Sequence, residues 1–258
     1  MRYRESVPHA GLRPFVEAIW TMSSAAVVPN RRAGTILPDG AVEIVVSFGG
    51  PIGIPPLRRP HTRVLLGPSD RVRRVTYSGV VDLVGFRLRP GIARAIVQSP
   101  LARVVNRLVP LVSAAPALDA ALESSLDQRS SSTARSDAVQ RAIEAFVRQL
   151  PRPNGFFQRS VEAIHARQGR IRIEELASEL SVSRRQLERA FLANIGLSPK
   201  RWCRVVRFQH AVQSMSEQRD CDWADLAYRL GYADQAHFCR EFRTFTEVAP
   251  TGAWWPRG

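Results

Sequence analysis

Short runs of β-branched and apolar residues mark the first ninety positions, and apolar residues at helical spacing mark most of the remainder. The stretch "AVEIVVSF" (41–48) follows Pro38-Asp39-Gly40, which is typical of a turn, and it predicts a strand. Further strands are predicted for "TRVLLG" (62–67), "RRVTY" (73–77) and "VVDLVGFRL" (80–88). Periodicity predicts mainly helix from 92 to 150. We therefore expect a β-rich segment followed by helices.

Two stretches interrupt the helical part of the sequence. Ser130-Ser131-Ser132-Thr133 predicts a flexible break, and Pro151-Arg152-Pro153-Asn154-Gly155 predicts a stronger one. Proline restricts its own φ and the residue before it, and Asn-Gly favours a turn, so no helix is expected to cross the second stretch. A chain of 258 residues has room for two ordinary domains. We predict a sensing or dimerisation domain over 1–152 and an all-helical domain over 153–258.

The helical domain contains an internal repeat. "LASELSVSRRQLERAF" begins at Leu176 and "LAYRLGYADQAHFCREF" begins at Leu226, with matching apolar and arginine positions in the two stretches. Each copy predicts two helices joined by a tight turn, a helix-turn-helix unit. The intervening "SPKRWCRVVRFQHAVQSM" (198–215) predicts one long helix, because Ser198 is a favourable N-cap and Pro199 suits the first helical position.

The second helix of each unit has one face that is not expected to pack in the core. Placing Leu187 and Phe191 inward leaves Arg189 outward, since a helix turns about 100° per residue. The same construction on the second copy leaves Arg240 outward. An outward arginine beside short side chains suits the major groove, where a guanidinium can bond O6 and N7 of guanine. A solvated surface arginine is the alternative, and the matched position in both copies disfavours it.

At these motifs the sequence resembles the AraC/XylS family of bacterial transcription regulators, over roughly 156–256. The resemblance rests on the two repeated stretches, on "GLSPKRW" (196–202) and on the final "VAP" (248–250). It implies seven helices with two helix-turn-helix units. The DNA-binding residues expected from the resemblance and from the outward faces are Arg185, Gln186, Glu188, Arg189, Gln235, Ala236, His237, Cys239, Arg240 and Arg243, with Lys200 on the long helix as a phosphate contact or a solubilising charge.

One position departs from the family pattern. Most members have glycine where Glu247 stands, and the first copy has Gly196 there. Because glycine takes positive φ freely and glutamate does not, we expect the end of the sixth helix to differ from that of the third.

The resemblance implies function and partners. We expect a sequence-specific transcription regulator that binds double-stranded promoter DNA, acts with RNA polymerase, responds to a small-molecule effector and forms a homodimer. The alternative, from a different functional class, is a basic, non-catalytic protein that packages nucleic acid. We expect no enzymatic activity, no cofactor and no metal. No cysteine precedes Cys203, which excludes a cysteine-based repair domain in the first part of the chain. A cupin metal site needs clustered histidines, and only His9 and His61 are available there.

The first domain also carries a resemblance. "LPDGAVEIVV" (37–46) and "GFRLRPG" (85–91) are similar to an amino-terminal domain found before this DNA-binding module, which implies a cupin-like β-sheet fold followed by helices. The resemblance transfers no ligand site. Trp20, Phe48 and Phe86 would line a pocket in such a fold or simply fill its core.

Charge adds a candidate site to that domain. The chain carries a net charge of +14, of which residues 1–152 contribute +10 and residues 153–258 only +4. If a reversal at Ser78-Gly79 pairs the neighbouring strands, Arg71, Arg73, Arg87 and Arg89 converge. Guanidinium groups bind phosphate and carboxylate in bidentate fashion, so the cluster predicts an anionic effector. A solvated basic edge is the alternative.

The remaining features favour an ordinary cytoplasmic protein. Cys203, Cys221 and Cys239 show no CxxC spacing and are interpreted as plain helix residues. No run of 18 apolar residues appears, and residues 1–5 lead into no signal peptide.

Overall fold

The computed structural model describes residues 1–50, 52–53, 62–125, 132–151, 155–217 and 222–250. Nine strands are found in the first part of this region: β1 Arg2–Ser6, β2 Val16–Ser23, β3 Val28–Ile36, β4 Val42–Ser47, β5 Ile52–Gly53, β6 Arg63–Leu66, β7 Arg73–Gly79, β8 Asp82–Leu88 and β9 Leu108–Pro110. The described helices are α1 Ala93–Ile96, α2 Leu111–Ala114, α3 Pro116–Ser125, α4 Ser132–Val147, α5 Gly155–Ala166, α6 Ile173–Glu179, α7 Arg184–Asn194, α8 Pro199–Glu217, α9 Trp223–Arg229 and α10 Gln235–Thr246. The predicted α+β class is confirmed.

The strands form two antiparallel sheets. The larger sheet has the order β1-β2-β8-β4-β6-β9, and the smaller has the order β3-β7-β5. Strand β4 lies at the centre of the larger sheet and is buried along its whole length. Its β-branched sequence fits this position, because a strand covered on both faces can be apolar at every residue.

The larger sheet is the middle layer of three. On one face, side chains such as Ile44 and Phe86 pack with helices α1–α4. On the other face, Trp20 and Val45 pack with residues of the smaller sheet. Gly85 of β8 makes room for Trp20, because a Cβ at Gly85 would overlap the indole ring. Trp20 and Phe86 are therefore core residues; Phe48 is only half-buried and packs at the edge of the first core.

One expectation about the β-rich part is wrong. Strands β7 and β8 follow each other across Gly79, but they do not pair: β7 pairs with β3 and β5, and β8 pairs with β2 and β4. The described part of 92–150 is mainly helical, as predicted, and the short strand β9 within it pairs with β6. The predicted break at 130–133 lies mostly outside the described residues, and α4 already begins at Ser132.

Helices α5–α10 form the second part of the chain and share one core. That core contains Leu187, Phe191, Phe238 and Phe242, each at most 1 % exposed. The predicted seventh helix would fall at 251–258, outside the described residues. The boundary proposed at 152 also falls on a segment outside them, between α4 and α5.

The second part is packed against the first. Leu37 and Val105 contact its core from the β-rich side. Hydrogen bonds join the parts from Gln209 Nε2 to the Pro38 carbonyl, from the Val72 N–H to the Phe245 carbonyl (2.7 Å) and from Arg201 Nε to Asp70 Oδ2 (2.7 Å). The long helix α8 therefore lies against the β-rich part.

Candidate nucleic-acid interface

The two predicted helix-turn-helix units have the same turn. In the first, α6 and α7 are joined through Ser181 at φ 54°, and the Val182 N–H donates to the Ala177 carbonyl at 3.0 Å. In the second, α9 and α10 are joined through Gly231 at φ 74°, and an equivalent bond of 2.9 Å links Tyr232 to Ala227. The internal repeat in the sequence is thus a repeat in backbone geometry.

Each recognition helix, α7 or α10, begins at a side-chain cap. Ser183 and Gln186 form a capping box at the start of α7. At the start of α10, Asp234 Oδ1 accepts the His237 N–H at 2.6 Å. These caps satisfy N–H groups that a helix start leaves unpaired and fix where each helix begins.

Arg189 and Arg240 lie on the exposed faces of α7 and α10, opposite the buried phenylalanines. Within the described chain neither guanidinium takes part in a hydrogen bond or an ion pair. Arg185 of α7 and Arg243 of α10 are exposed in the same way. Four arginines on two capped helices are therefore available to a partner outside the chain.

The other predicted base-contacting residues are less free. The Gln186 Oε1 accepts a hydrogen bond from Ser183, and Glu188 pairs with Arg184 at 3.3 Å. Both side chains are therefore engaged in contacts within the α7 segment. His237 stacks edge-on against Tyr232 with ring centroids 5.3 Å apart. On α10, Gln235 and Ala236 are exposed and Cys239 is half-buried. Leu192 is 46 % exposed and lies on the same face of α7 as Arg185 and Arg189, as its spacing from them predicts.

Helix α8 uses most of its basic residues within the protein. Arg204 Nε pairs with the buried carboxylate of Glu241 at 2.7 Å, which ties α8 to α10. The Arg207 guanidinium lies 5.0 Å from the Tyr232 ring centre. With Arg201 bound to Asp70, Lys200 is the exposed basic group of this helix that no described residue engages.

The end of α10 corrects the expectation for Glu247. This residue has φ 67° and closes the helix with a bond from its N–H to the Arg243 carbonyl at 2.9 Å. Gly196 has φ 86° after α7. The two helices therefore end in the same left-handed conformation.

The four arginines predicted to bind an anion do not come together as one cluster. Arg71 is largely exposed and Arg89 donates its Nε to the Arg13 carbonyl. Arg73 is buried and donates to the Gly67 carbonyl at 3.0 Å. Arg87 is bound by carboxylates of its own chain. Arg73 lies on β7 and Arg87 on β8, and these strands belong to different sheets, so the strand pairing assumed for the cluster is absent.

Arg87 and Glu43 stand opposite each other on β8 and β4, with 3.1 Å between Nε and Oε1. Glu5 and Asp39 approach the same guanidinium at 3.3 and 3.9 Å. Burial raises the pKa of Glu43 to about 7, and the neighbouring charge of Asp39 adds to this increase. Burial also raises the pKa of Asp39. Removal from water thus outweighs the attraction of Arg87 for both carboxylates.

Three further properties of the described residues bear on other functions. No group of three or more His, Cys, Asp or Glu side chains among them could hold a metal ion. Of the described helices, none is long and apolar enough to cross a membrane. Cys203 is buried, which raises the pKa of its thiol to about 12, and Cys221 lies outside the described residues.

Comparison with known proteins identifies two regions. Residues 176–253 match a family model described as a helix-turn-helix domain, and residues 4–110 match one described as a domain of unknown function. An uncharacterised HTH-type transcriptional regulator of Haemophilus influenzae is 34 % identical over 79 residues, which is 31 % of this chain and 26 % of that protein. The HTH-type transcriptional activator RhaS of Klebsiella pneumoniae is 34 % identical over 77 residues, 30 % and 27 % of the two chains.

These matches cover only about a quarter of each relative. Among solved structures, ToxT from Vibrio cholerae aligns with 90 % of this chain and 96 % of its own, at 11 % identity and a TM-score of 0.48. A likeness at that score supports no conclusion about the site. The helix-turn-helix family model, over 176–253, covers most of α6 and all of α7–α10, the two units described above.

Proposed function

We propose that this chain, which carries an AraC-type helix-turn-helix domain at its carboxy-terminal end, is a transcription regulator that binds specific promoter DNA through two recognition helices. Two relatives, matched over 79 and 77 residues, are named as a transcriptional regulator and a transcriptional activator. The proposal assigns no catalytic step to the chain. It places the protein in the cytoplasm, acting with RNA polymerase and as a homodimer.

The observation that carries the proposal is the matched pair Arg189 and Arg240. Each is exposed at the same place of a capped helix, and each lacks a partner within the described chain. Arg184 of α7, by contrast, pairs with Glu174 and Glu188. Free guanidiniums at two equivalent positions suit guanine edges in two segments of a major groove.

The length of α8 suits two such segments. Its 19 residues give about 28 Å of helix at 1.5 Å per residue. Successive major-groove segments on one face of DNA lie about 34 Å apart. The ion pair between Arg204 of α8 and Glu241 of α10 connects the second recognition helix to α8.

The phosphate contacts in the proposal are few. Lys200 on α8 and Arg243 on α10 are exposed and available for phosphate, while Arg201, Arg204 and Arg207 are engaged within the protein. The proposal assigns only a secondary role in DNA binding to Gln186, Glu188 and His237, because each already contacts a residue of its own helix-turn-helix unit.

The proposal assigns effector sensing to residues 1–152. Two of the three apolar cores lie wholly within this part, and the third begins at Phe157 apart from contacts with Leu37 and Val105. An anionic effector at Arg71, Arg73, Arg87 and Arg89 gains little support, because Arg73 and Arg87 are already engaged within the protein.

Selection of binding sites from a random duplex library at fixed salt tests the proposal. A sequence-specific regulator should enrich a defined site with two half-sites about one helical turn apart and should bind it at least 1,000-fold more tightly than random DNA, roughly the lower limit for specific binders. A packaging protein would bind all duplexes alike, with affinity set by salt. No enrichment would reject the proposal.

A further inference from the structure

The segment between α1 and β9 lies where the two parts of the chain meet. Leu101–Arg103 forms a short 3₁₀ turn whose backbone lies directly against the end of α7, since a Cβ at Gly196 would overlap the Leu101 carbonyl group. Val104 is buried in the core of the first part, and Val105 packs against the core of the second. A stretch of the amino-terminal part is thereby fixed beside a recognition helix.

The same segment is linked to the start of α8. Asn106 donates from Nδ2 to Asp70 Oδ1 at 2.8 Å, and Arg201 donates from Nε to Asp70 Oδ2 at 2.7 Å. Lys200, an exposed cation, precedes Arg201 in the first turn of α8. Residues 101–107 are therefore held at both the end of α7 and the start of α8.

Arg103 and Arg107 are the exposed cations of this segment. Within the described chain neither guanidinium takes part in a hydrogen bond or an ion pair. Residues 83–118 contain five arginines and no Asp or Glu, so the local sequence supplies no carboxylate. Asp70, which Asn106 holds at this junction, is already bound by Arg201. Two available cations therefore stand beside the first helix-turn-helix unit.

The recognition helices and α8 supply few contacts to phosphate by themselves. Lys200 and Arg243 are exposed and available, while Arg201 and Arg204 are engaged within the protein. Roughly half to two-thirds of the hydrogen bonds between proteins and DNA go to phosphate and sugar. Most of the net positive charge of the chain lies in residues 1–152. The amino-terminal part thus carries the kind of charge that a DNA backbone requires.

We propose that Arg103 and Arg107 bind the phosphate backbone of DNA beside the major-groove segment that α7 reads, so that the DNA interface continues onto the amino-terminal part. This inference rests on the proposed function and extends it to residues outside the helix-turn-helix domain. Guanidiniums bind phosphate oxygens in bidentate fashion, and such contacts position a protein on the duplex without reading its sequence. Neither residue belongs to the arginine cluster predicted from the sequence.

The salt dependence of DNA binding by the full chain tests the inference. The logarithm of the binding constant falls with the logarithm of salt concentration by about 0.9 for each phosphate neutralised on duplex DNA. Arg103→Gln/Arg107→Gln should therefore lower this slope by about 1–2 and weaken binding several-fold, on the selected site and on a random duplex alike. The base preference should stay unchanged, because phosphate contacts carry no sequence information directly.

Two further double variants serve as controls. Arg2→Gln/Arg4→Gln removes the same charge from exposed positions that pair with residues near the end of β2, whereas Glu17 near the start of β2 lines the cavity between the two parts of the chain. Its slope should equal that of the wild type. Arg103→Lys/Arg107→Lys keeps both charges and should retain most of the wild-type slope.

The inference is overturned if the glutamine variant has the slope of Arg2→Gln/Arg4→Gln, if the lysine variant loses as much as the glutamine variant, or if the base preference changes. A wild type that binds the two duplexes equally would reject the proposed sequence specificity, and the slopes would still decide the role of the two arginines. A wild type that binds neither duplex would overturn both.

Discussion

Glu247 ends α10 in the same left-handed backbone conformation that Gly196 provides after α7, with φ 67° and 86° respectively. In this conformation a Cβ crowds the following carbonyl oxygen, at a cost of about 1–2 kcal/mol. Glycine at position 196 avoids this cost, and glutamate at position 247 bears it. The ion pair of Glu247 with Arg74, at 3.4 Å, is between exposed side chains and offsets little of this cost.

Replacing Glu247 with glycine should therefore stabilise the protein by about 1 kcal/mol. The matched control is Glu247→Ala, which also loses the ion pair but keeps the Cβ. Urea unfolding of the three proteins measures the difference. If the glycine variant is no more stable than the alanine variant, the left-handed turn is not the source of strain.

Replacing Arg240 with alanine should weaken the selected DNA site by about 1–3 kcal/mol and relax the base preference at one position. The comparison is Lys200→Ala, which should weaken all sequences about equally if Lys200 contacts phosphate. Binding to a library of single-base variants separates the two effects. An unchanged base preference in Arg240→Ala would remove this residue from the interface.

Replacing Gly40 with alanine should loosen the junction between the two parts of the chain. Gly40 has φ 66°, and a Cβ there would overlap the Trp202 ring. Gly155 has a similar φ of 69° with open space around it, so Gly155→Ala bears the backbone strain alone. We expect Gly40→Ala to be the less stable variant by about 1–3 kcal/mol, the usual cost of overpacking.

Tryptophan fluorescence provides a second measurement for the Gly40 variant. Displacement of Trp202 from its buried site should shift its emission to longer wavelength in Gly40→Ala and not in Gly155→Ala. Equal stability and equal spectra of the two variants would contradict the close contact between Gly40 and Trp202.

Glu43 should make stability fall as pH rises from about 4.5 to about 7. Its pKa is about 7 in the folded protein and 4.5 ordinarily, so the folded state binds the extra proton between these values. The contribution is complete below about 4.5 and is lost as pH rises through about 7, by up to about 3 kcal/mol. His165 and His210 act in the opposite direction, since burial lowers the pKa of each.

Comparison of wild type with Glu43→Gln isolates the carboxyl from those histidines, which both proteins share. The difference in unfolding free energy should change between pH 5 and 7.5 in favour of the variant, and it should not change for Glu175→Gln. Parallel pH profiles for wild type and Glu43→Gln would contradict the raised pKa.

The sequence by itself determined the helix-turn-helix units and their candidate contacts. The apolar spacing of Leu187 and Phe191 and the arginines opposite the core are relations within one or two helical turns. Such local relations fix which side of a helix is buried wherever the helix packs. The inward and outward assignment for α7 and α10 followed from them without knowledge of the rest of the chain.

Only the tertiary structure decided which carboxylates pair with which arginines in the β-rich part. The partners of Arg87 are Glu43 and Glu5, 44 and 82 residues away in sequence, and neither pairing follows from local pattern. Strands β7 and β8 are neighbours along the chain but belong to different sheets, because strand pairing depends on how whole sheets bury their apolar faces. Which arginines are exposed and which are engaged within the protein is therefore a property of the fold.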